Sequence, residues 1–226
     1  MALFNKSASD YDQWCQTPLG SFVDKLEKNL IKEVARPTRG EVALDIGCGT
    51  GIYSYWLSEL GLEVTGIDLS TEMLAKANEK ANAEKIQFIQ GDIHKLPFAD
   101  GSFDLVVSNI VMEFVENPKQ VVNEALRVLK PGGRFVCGFI GKESFWGEMY
   151  QEKGKGDKDS VFHKASFFNV DEIKKMYKQL PIEIKYGLFV TMDDFENEVE
   201  AKKLEAERRK TYSFEKAGYI VAKWEN

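Results

Sequence analysis

Residues 42–46 (VALDI) form an apolar run that stops at a glycine cluster, Gly47-Cys48-Gly49-Thr50-Gly51, and a helix-like stretch over 51–60 follows at once. No other feature restricts the fold as much. A buried strand that ends on glycines opening a helix begins a strand–helix–strand unit. Glycines at that corner permit a tight turn and let backbone N–H groups come close to a ligand. Gly61 ends the helix, and 62–68 (LEVTGID) reads as a second strand stopping at Asp68. An acidic side chain about 20 residues after the first glycine stands where carboxylates of such units accept hydrogen bonds from ribose hydroxyls.

The alternation continues along the chain. Residues 71–82 are predicted helical with Ser70 as N-cap. Residues 86–90 and 103–109 read as strands. Asn117-Pro118 supplies an N-cap and a first-turn proline for a helix through Leu129, with Val121, Val122, Ala125, Leu126 and Leu129 on one face. Pro131-Gly132-Gly133 breaks it, and 134–140 is a strand. Upstream, Phe22, Leu26, Leu30 and Val34 recur at helical spacing over 21–35, with Ser21 and Asp24 as a capping box and Pro37 closing the segment. Downstream, the charged, glycine-bearing stretch 152–160 reads as a flexible loop. Asn169 and Glu172 frame a capping box for a helix to about Leu180, and strands are expected over 182–190 and 217–223 with a solvated helix at 194–210 between them. Strand–helix alternation at this pitch predicts a parallel sheet with helices on both faces.

The chain of 226 residues is long enough to bury a core without staples. Its net charge of −6 argues against a constitutive nucleic-acid binder, which shows a basic field. No apolar run approaches a membrane span, and Met1 to Asp10 lack the basic-then-apolar pattern of a signal peptide. Cys15, Cys48 and Cys137 are widely spaced, no C-x-x-C occurs, and His94 and His163 are the only histidines. Neither a metal site nor a disulfide framework is expected, and reduced thiols in a cytoplasmic protein are.

Two details of the corner bear on its ligand. A dinucleotide site favours G-x-G-x-x-G, whereas here Gly51 comes one position early and Ile52 stands where the last glycine would be. Asp45, just before the glycines, would repel a pyrophosphate but suits a ligand amine, directly or through water. A nucleoside carrying an amino acid satisfies both.

ALDIGCGTG, VTGIDLS, GDIHKLPFADGSFDLVVSN and EALRVLKPGGRF, in this order over about 42–140, resemble the class I S-adenosylmethionine-dependent methyltransferases, and more narrowly the type-11 domain that includes ubiquinone/menaquinone C-methyltransferases. The opening SASDYDQW is similar to the N-terminal segment of such enzymes. The resemblance implies a Rossmann-like α/β fold with a seven-stranded, mostly parallel sheet, the last strand antiparallel and helices on both faces. It implies S-adenosyl-L-methionine as cofactor, with Asp45, Gly47, Cys48, Gly49 and Gly51 around its methionine part, Asp68 on the ribose, and Leu69 and Met73 on the adenine side. It further implies that Asp92 accepts from the adenine amine with Gly91 and Ile93 beside the ring, that Asn109 lies next to the methyl group, and that Tyr11 closes over the cofactor.

One domain is expected: a helical cap over 1–36, a cofactor-binding core over 37–140, a lid or substrate segment over 141–168, and the rest of the sheet over 169–226. Methyl transfer to a small-molecule acceptor is the expected activity. Asn109-Ile110-Val111-Met112 lacks the Asn/Asp-Pro-Pro-Tyr/Phe pattern of enzymes that methylate base amines, which again argues against nucleic acid. Glu113 is the first candidate for a general base and His163 the second; each can equally be a packing or surface residue. Asp104 reads as structural, and His94 as solvent-facing. Trp146, Tyr150, Phe162, Phe167 and Phe168 suit either a substrate pocket or ordinary core. A nicotinamide-dependent oxidoreductase and a non-catalytic cofactor-binding module are the alternatives.

Overall fold

The computed structural model describes residues 8–80 and 85–226, and only the backbone over 8–11. Strands β1 (Val42–Ile46), β2 (Glu63–Asp68), β3 (Gln87–Gln90), β4 (Phe103–Asn109), β5 (Leu129–Ile140), β6 (Glu183–Gly187) and β7 (Tyr219–Glu225) form one sheet in the order β3-β2-β1-β4-β5-β7-β6. β7 pairs antiparallel with β5 and β6, and the remaining pairings are parallel. The seven-stranded Rossmann-like sheet implied by the resemblance is therefore the fold. β1 lies between β2 and β4, so the winding direction reverses there, and such a reversal opens a crevice beyond the carboxyl ends of the two central strands.

The helices are α1 (Ala8–Gln16), α2 (Pro18–Ala35), α3 (Ile52–Glu59), α4 (Thr71–Asn78), α5 (Pro118–Arg127), α6 (Phe145–Gly156), α7 (Val170–Lys174) and α8 (Glu198–Thr211). Alternation along the strands divides the core in two. Leu105 and Val107 of β4 pack with α2 and α3, whereas Phe103 and Val106 pack with α5 and α7. Burying each such side chain contributes about 1.5–3 kcal/mol. Among the described residues no helix is long and apolar enough to cross a membrane.

Several boundaries differ from expectation for local reasons. α2 starts at Pro18, not Ser21, because the Thr17 hydroxyl caps it by accepting from Gly20 N at 3.0 Å. Proline at the first position loses nothing there, since that N–H has no partner within the helix. β5 begins at Leu129 and runs through Pro131-Gly132-Gly133, where its register against β4 shifts between Phe103 and Leu105. α7 is a single short helix ending at Lys174, although its capping box forms as expected. β6 stops at Gly187 because Leu188 turns left-handed (φ 62), and the Glu205 carboxylate collects the N–H groups of Leu188, Phe189 and Val190 at 2.9, 2.6 and 3.2 Å.

The flexible loop expected over 152–160 is corrected for 152–156, while 157–160 stand outside any helix. α6 continues through Gly156, capped by the Ser144 hydroxyl, which accepts from Gly147 N at 3.0 Å. A Cβ on Gly154 would run into the Phe162 carbonyl, so this glycine permits close contact between α6 and the turn at Val161–Lys164. Glycine in this helix serves packing, and composition alone does not separate the two uses.

Candidate active site

The glycine corner folds as β1 meets α3. Gly47, Gly49 and Gly51 have φ of 71°, 53° and 80°, a region that side chains with a Cβ rarely enter. Their surroundings differ. A Cβ on Gly47 would come within 2.5 Å of Val111 Cγ2, and one on Gly51 within 2.9 Å of Phe88 Cζ. At Gly49 the nearest atom is Met73 Sδ, 3.9 Å away. Two of the glycines make room for protein, and the third borders space that the protein leaves clear. Cys48 between them is buried, its thiol pushed well above the ordinary value by burial, and acts as packing.

Asp68 closes the corner from the end of β2. Its Oδ2 accepts from Gly49 N and its Oδ1 from Ser70 N, both at 2.8 Å. Leu69 N is a third backbone donor to this carboxyl, whose two oxygens together offer about four acceptor positions, so acceptor capacity remains. Burial raises this carboxyl above its usual range. Leu69 beside it is 58% exposed, an unusual position for a leucine on a site wall. Ser70 caps α4 by accepting from Met73 N at 3.1 Å, which fixes Met73 opposite Gly49.

Asp45 lies deeper, 2% exposed, and accepts from Ser54 Oγ at 2.6 Å, so it ties β1 to α3 beneath the corner. Burial raises its carboxyl to about 7. At the end of β3, Gly91 packs against Ile67, and Ile93 is buried. Asp92 is exposed, and its Oδ1 accepts from both His94 N (2.9 Å) and His94 Nδ1 (2.8 Å). These bonds hold Asp92 below the usual carboxylate range. Asn117 N approaches His94 Nε2 at 3.4 Å, so His94 braces two loops. Asp104 accepts from Val42 N (2.9 Å) and Lys130 Nζ (2.8 Å) at the far end of the sheet, a structural role as expected.

Two residues of this region had escaped the sequence reading. Asp12 of α1 accepts from Thr50 Oγ1 at 2.6 Å and pairs with Lys80 Nζ at 2.8 Å, so α1 is strapped across the corner to α4. Tyr11 is on the same helix, and its side chain lies outside the described residues. The second is Glu27, buried in α2. Its position three residues before Leu30 places a carboxylate in the apolar stripe of that helix, which was the available signal.

Glu27 heads a polar cluster above β4 and β5. Its Oε2 accepts from Tyr53 Oη at 3.0 Å and Asn109 Nδ2 at 3.2 Å, while Asn109 Oδ1 accepts from Tyr219 Oη. A Cβ on Gly138 would strike both Tyr219 and Asn109, so this glycine of β5 lets the pair meet. After Asn109 the backbone turns at Ile110 with φ 52, rare for a β-branched residue. Backbone strain of this kind, roughly 1–3 kcal/mol, persists where the surroundings impose it and is concentrated at functional sites. The turn delivers Glu113, 1% exposed, whose Oε1 accepts from Ile140 N at 2.8 Å and whose Oε2 has no partner. Burial raises Glu27 to about 7 and Glu113 to about 8.

His163 is not part of this cluster. It is exposed, and its Nδ1 is 2.9 Å from the Gly154 carbonyl, holding the turn to α6. The aromatic residues divide between the two cores. Tyr150 and Phe162 stack at 4.3 Å, with Trp146 and Phe167 on the same side of the sheet. Phe168 packs edge-on to Phe139 on the opposite side. Trp146 is core, with Nε1 donating to Val190 O at 2.9 Å.

The methyltransferase-domain family matches residues 44–137. An uncharacterised protein of Methanocaldococcus jannaschii is 37% identical over 180 residues, covering 80% of each chain. The chain belongs to the S-adenosylmethionine-dependent methyltransferases. Demethylmenaquinone methyltransferase of Clavibacter sepedonicus is 36% identical over 140 residues, 61% of this chain but only 57% of that enzyme, so the match spans under two thirds of its length. An S-adenosylmethionine-dependent methyltransferase of Thermotoga maritima shares the fold with a TM-score of 0.73 at 21% identity, over 98% of this chain and 96% of that one. The cofactor of this methyltransferase is S-adenosyl-L-methionine, and the nicotinamide alternative is set aside. The clear space beside Gly49, flanked by the Asp68 carboxylate and the exposed Leu69, fits a nucleoside with an amino-acid tail.

Proposed function

We propose that this methyltransferase acts on a small molecule held above the carboxyl ends of β4 and β5. The observation that carries the reading is the juxtaposition at one crevice of two environments: the open corner at Gly49 and the buried polar cluster of Glu27, Asn109 and Glu113. In this reading the free lone pairs of Asp68 take the ribose hydroxyls, and Leu69 and Met73 flank the adenine. Gly91 and Ile93 border the ring edge, where Asp92 Oδ2 faces the amine. The backbone of Gly47, Gly49 and Gly51 receives the methionine part, with Asp45 shaping it from below. Asp12 and Tyr11 bring α1 over the cofactor.

S-adenosylmethionine supplies a methyl group already activated on a sulfonium. The protein's task is to hold the acceptor in line with it, and positioning of this kind lowers a barrier by up to ~7–11 kcal/mol in favourable cases. Asn109, fixed by Glu27 and Tyr219, would orient the acceptor. Glu113, with a carboxyl raised to about 8 and an Oε2 without a partner, would take a proton from a nucleophile once ionised, so its service as a base would grow as pH rises toward 8. The segment 141–168 would cover the acceptor through α6 and its aromatic face. Free thiols at Cys15, Cys48 and Cys137 support a reducing, cytoplasmic setting.

Calorimetry with S-adenosylmethionine, followed by an acceptor screen for S-adenosylhomocysteine release, tests the reading. Absence of cofactor binding sinks it. Binding without turnover on any acceptor returns the protein to a non-catalytic module.

A further inference from the structure

We propose that the acceptor carries a cationic nitrogen on an apolar, aromatic-sized body, and that Glu27 and Glu113 form its recognition subsite. The proposal rests on the small-molecule reading above and names the acceptor's chemical class.

Both carboxyls are buried at the carboxyl ends of β4 and β5, Glu27 bonded to Asn109 at the end of β4 and Glu113 to Ile140 at the end of β5, and the Glu27 charge acts on Glu113. Neither forms a salt bridge among the described residues. Among the described residues no cation is bonded to either carboxyl. Lys28 Nζ is paired with Asp24 at 2.8 Å and lies 5.6 Å over the Tyr53 ring. From β5 the facing titratable group is the Cys137 thiol, from α1 Cys15, and from α6 the Tyr150 phenol. All are neutral or acidic. Tyr53 on α3 and Tyr219 on β7 are engaged in the cluster.

Glu113 Oε2 is a buried polar atom without a partner, which native folds seldom leave without a functional reason. Burial raises the two carboxyls to about 7 and 8, so an anionic acceptor would meet no cation here and would add a further charge to a desolvated site. A neutral donor would satisfy one oxygen and leave the burial cost of ionising both carboxyls in place. A cation satisfies Oε2 and turns the proximity of the second carboxyl into attraction, since an opposite charge nearby favours the ionised form. Apolar surface for the rest of the molecule stands alongside. Phe114, adjacent to Glu113 in sequence, is 5.9 Å from Phe162, and Phe162 stacks with Tyr150. The outer face of Phe162 is already taken by Lys153 Nζ at 5.7 Å, so the cation belongs at the carboxyls and the flat body at the rings.

The test uses the full chain loaded with S-adenosylhomocysteine. Three probes share one body and differ in charge: 2-phenylethylamine, 2-phenylethanol and 3-phenylpropanoate. Binding of S-adenosylmethionine to the wild type is measured first, and its absence overturns the methyltransferase reading before any probe is added. The amine is expected to bind at least about tenfold more tightly than either counterpart, the scale of a hydrogen bond to a charged group. Glu113→Gln and Glu27→Gln are each expected to erase that preference while S-adenosylhomocysteine affinity stays within about twofold. Should either variant fail to fold, the wild-type ranking of the three probes decides alone. The proposal is overturned if the alcohol or the carboxylate binds as well as the amine, if no probe binds, or if the preference survives both substitutions. It is also overturned if the variants weaken S-adenosylmethionine but not S-adenosylhomocysteine, since the acids would then serve the sulfonium.

Discussion

Alanine at Gly49 and alanine at Gly47 should fail for opposite reasons. Both glycines have positive φ, so each substitution carries a backbone cost of about 1–2 kcal/mol. At Gly49 that is the whole cost to the fold, because the added methyl would meet nothing nearer than Met73 Sδ at 3.9 Å. The melting temperature of the free protein should fall by about 2–8 °C. The methyl would instead project into the space assigned to the cofactor. Overpacking of that kind costs about 1–3 kcal/mol, a loss of roughly 5- to 150-fold in S-adenosylmethionine affinity. At Gly47 the methyl would come within 2.5 Å of Val111 Cγ2, which adds about 1–3 kcal/mol of strain to the fold itself. Gly47→Ala should therefore melt lower than Gly49→Ala. Calorimetric melting of the free proteins and titration with S-adenosylmethionine separate the two effects. Wild-type affinity in Gly49→Ala would refute the assignment of the corner. Equal melting of the two variants would refute the distinction between packing and ligand glycines.

Asp68→Ala should weaken S-adenosylmethionine by about 10- to 150-fold, the scale of a charged hydrogen bond, and unchanged affinity in a folded variant would remove Asp68 from the ribose site. Asp12→Ala cuts α1 from both Thr50 and Lys80, so cofactor release should quicken severalfold in stopped-flow measurements, whereas an unaltered rate would show that α1 does not govern access. Stability should depend on pH through Glu113, whose carboxyl rises from an ordinary 4.5 to about 8 on folding. The folded state keeps a proton that the unfolded chain releases, so this contribution is full below the ordinary value and is lost as pH rises through 8. Between pH 6 and 9 the wild type should lose more melting temperature than Glu113→Gln, which cannot ionise; parallel slopes would show that Glu113 ionises alike in both states.

The centre of the sheet was legible because β1 and β4 are largely buried on both faces and read as apolar runs, so both fall within the expected limits. Helix ends were less legible. Thr17 caps α2 where Ser21 was expected, since several polar residues near a helix start can cap and only the backbone path selects one. The stretch 152–156 misled because lysine, glutamate and glycine occur both in loops and on exposed helix faces; Trp146, bonded to Val190, and Gly154, packed on Phe162, hold it helical.

By itself the sequence determined the glycine corner and its acidic partner, because a strand, its glycines and the following acidic strand end lie within some 25 residues and their chemistry is local. It also placed Glu113 one turn past β4. The tertiary structure alone decided what surrounds it. Glu27 comes from α2, Asn109 from β4, Tyr219 from the antiparallel last strand and Tyr150 from α6, and no local spacing relates them. Gly138 permits their meeting only because β7 lies beside β5. Local pattern specifies a binding turn, whereas a buried charge acquires its properties from groups that only the folded sheet brings within reach, and His163 is left outside for the same reason.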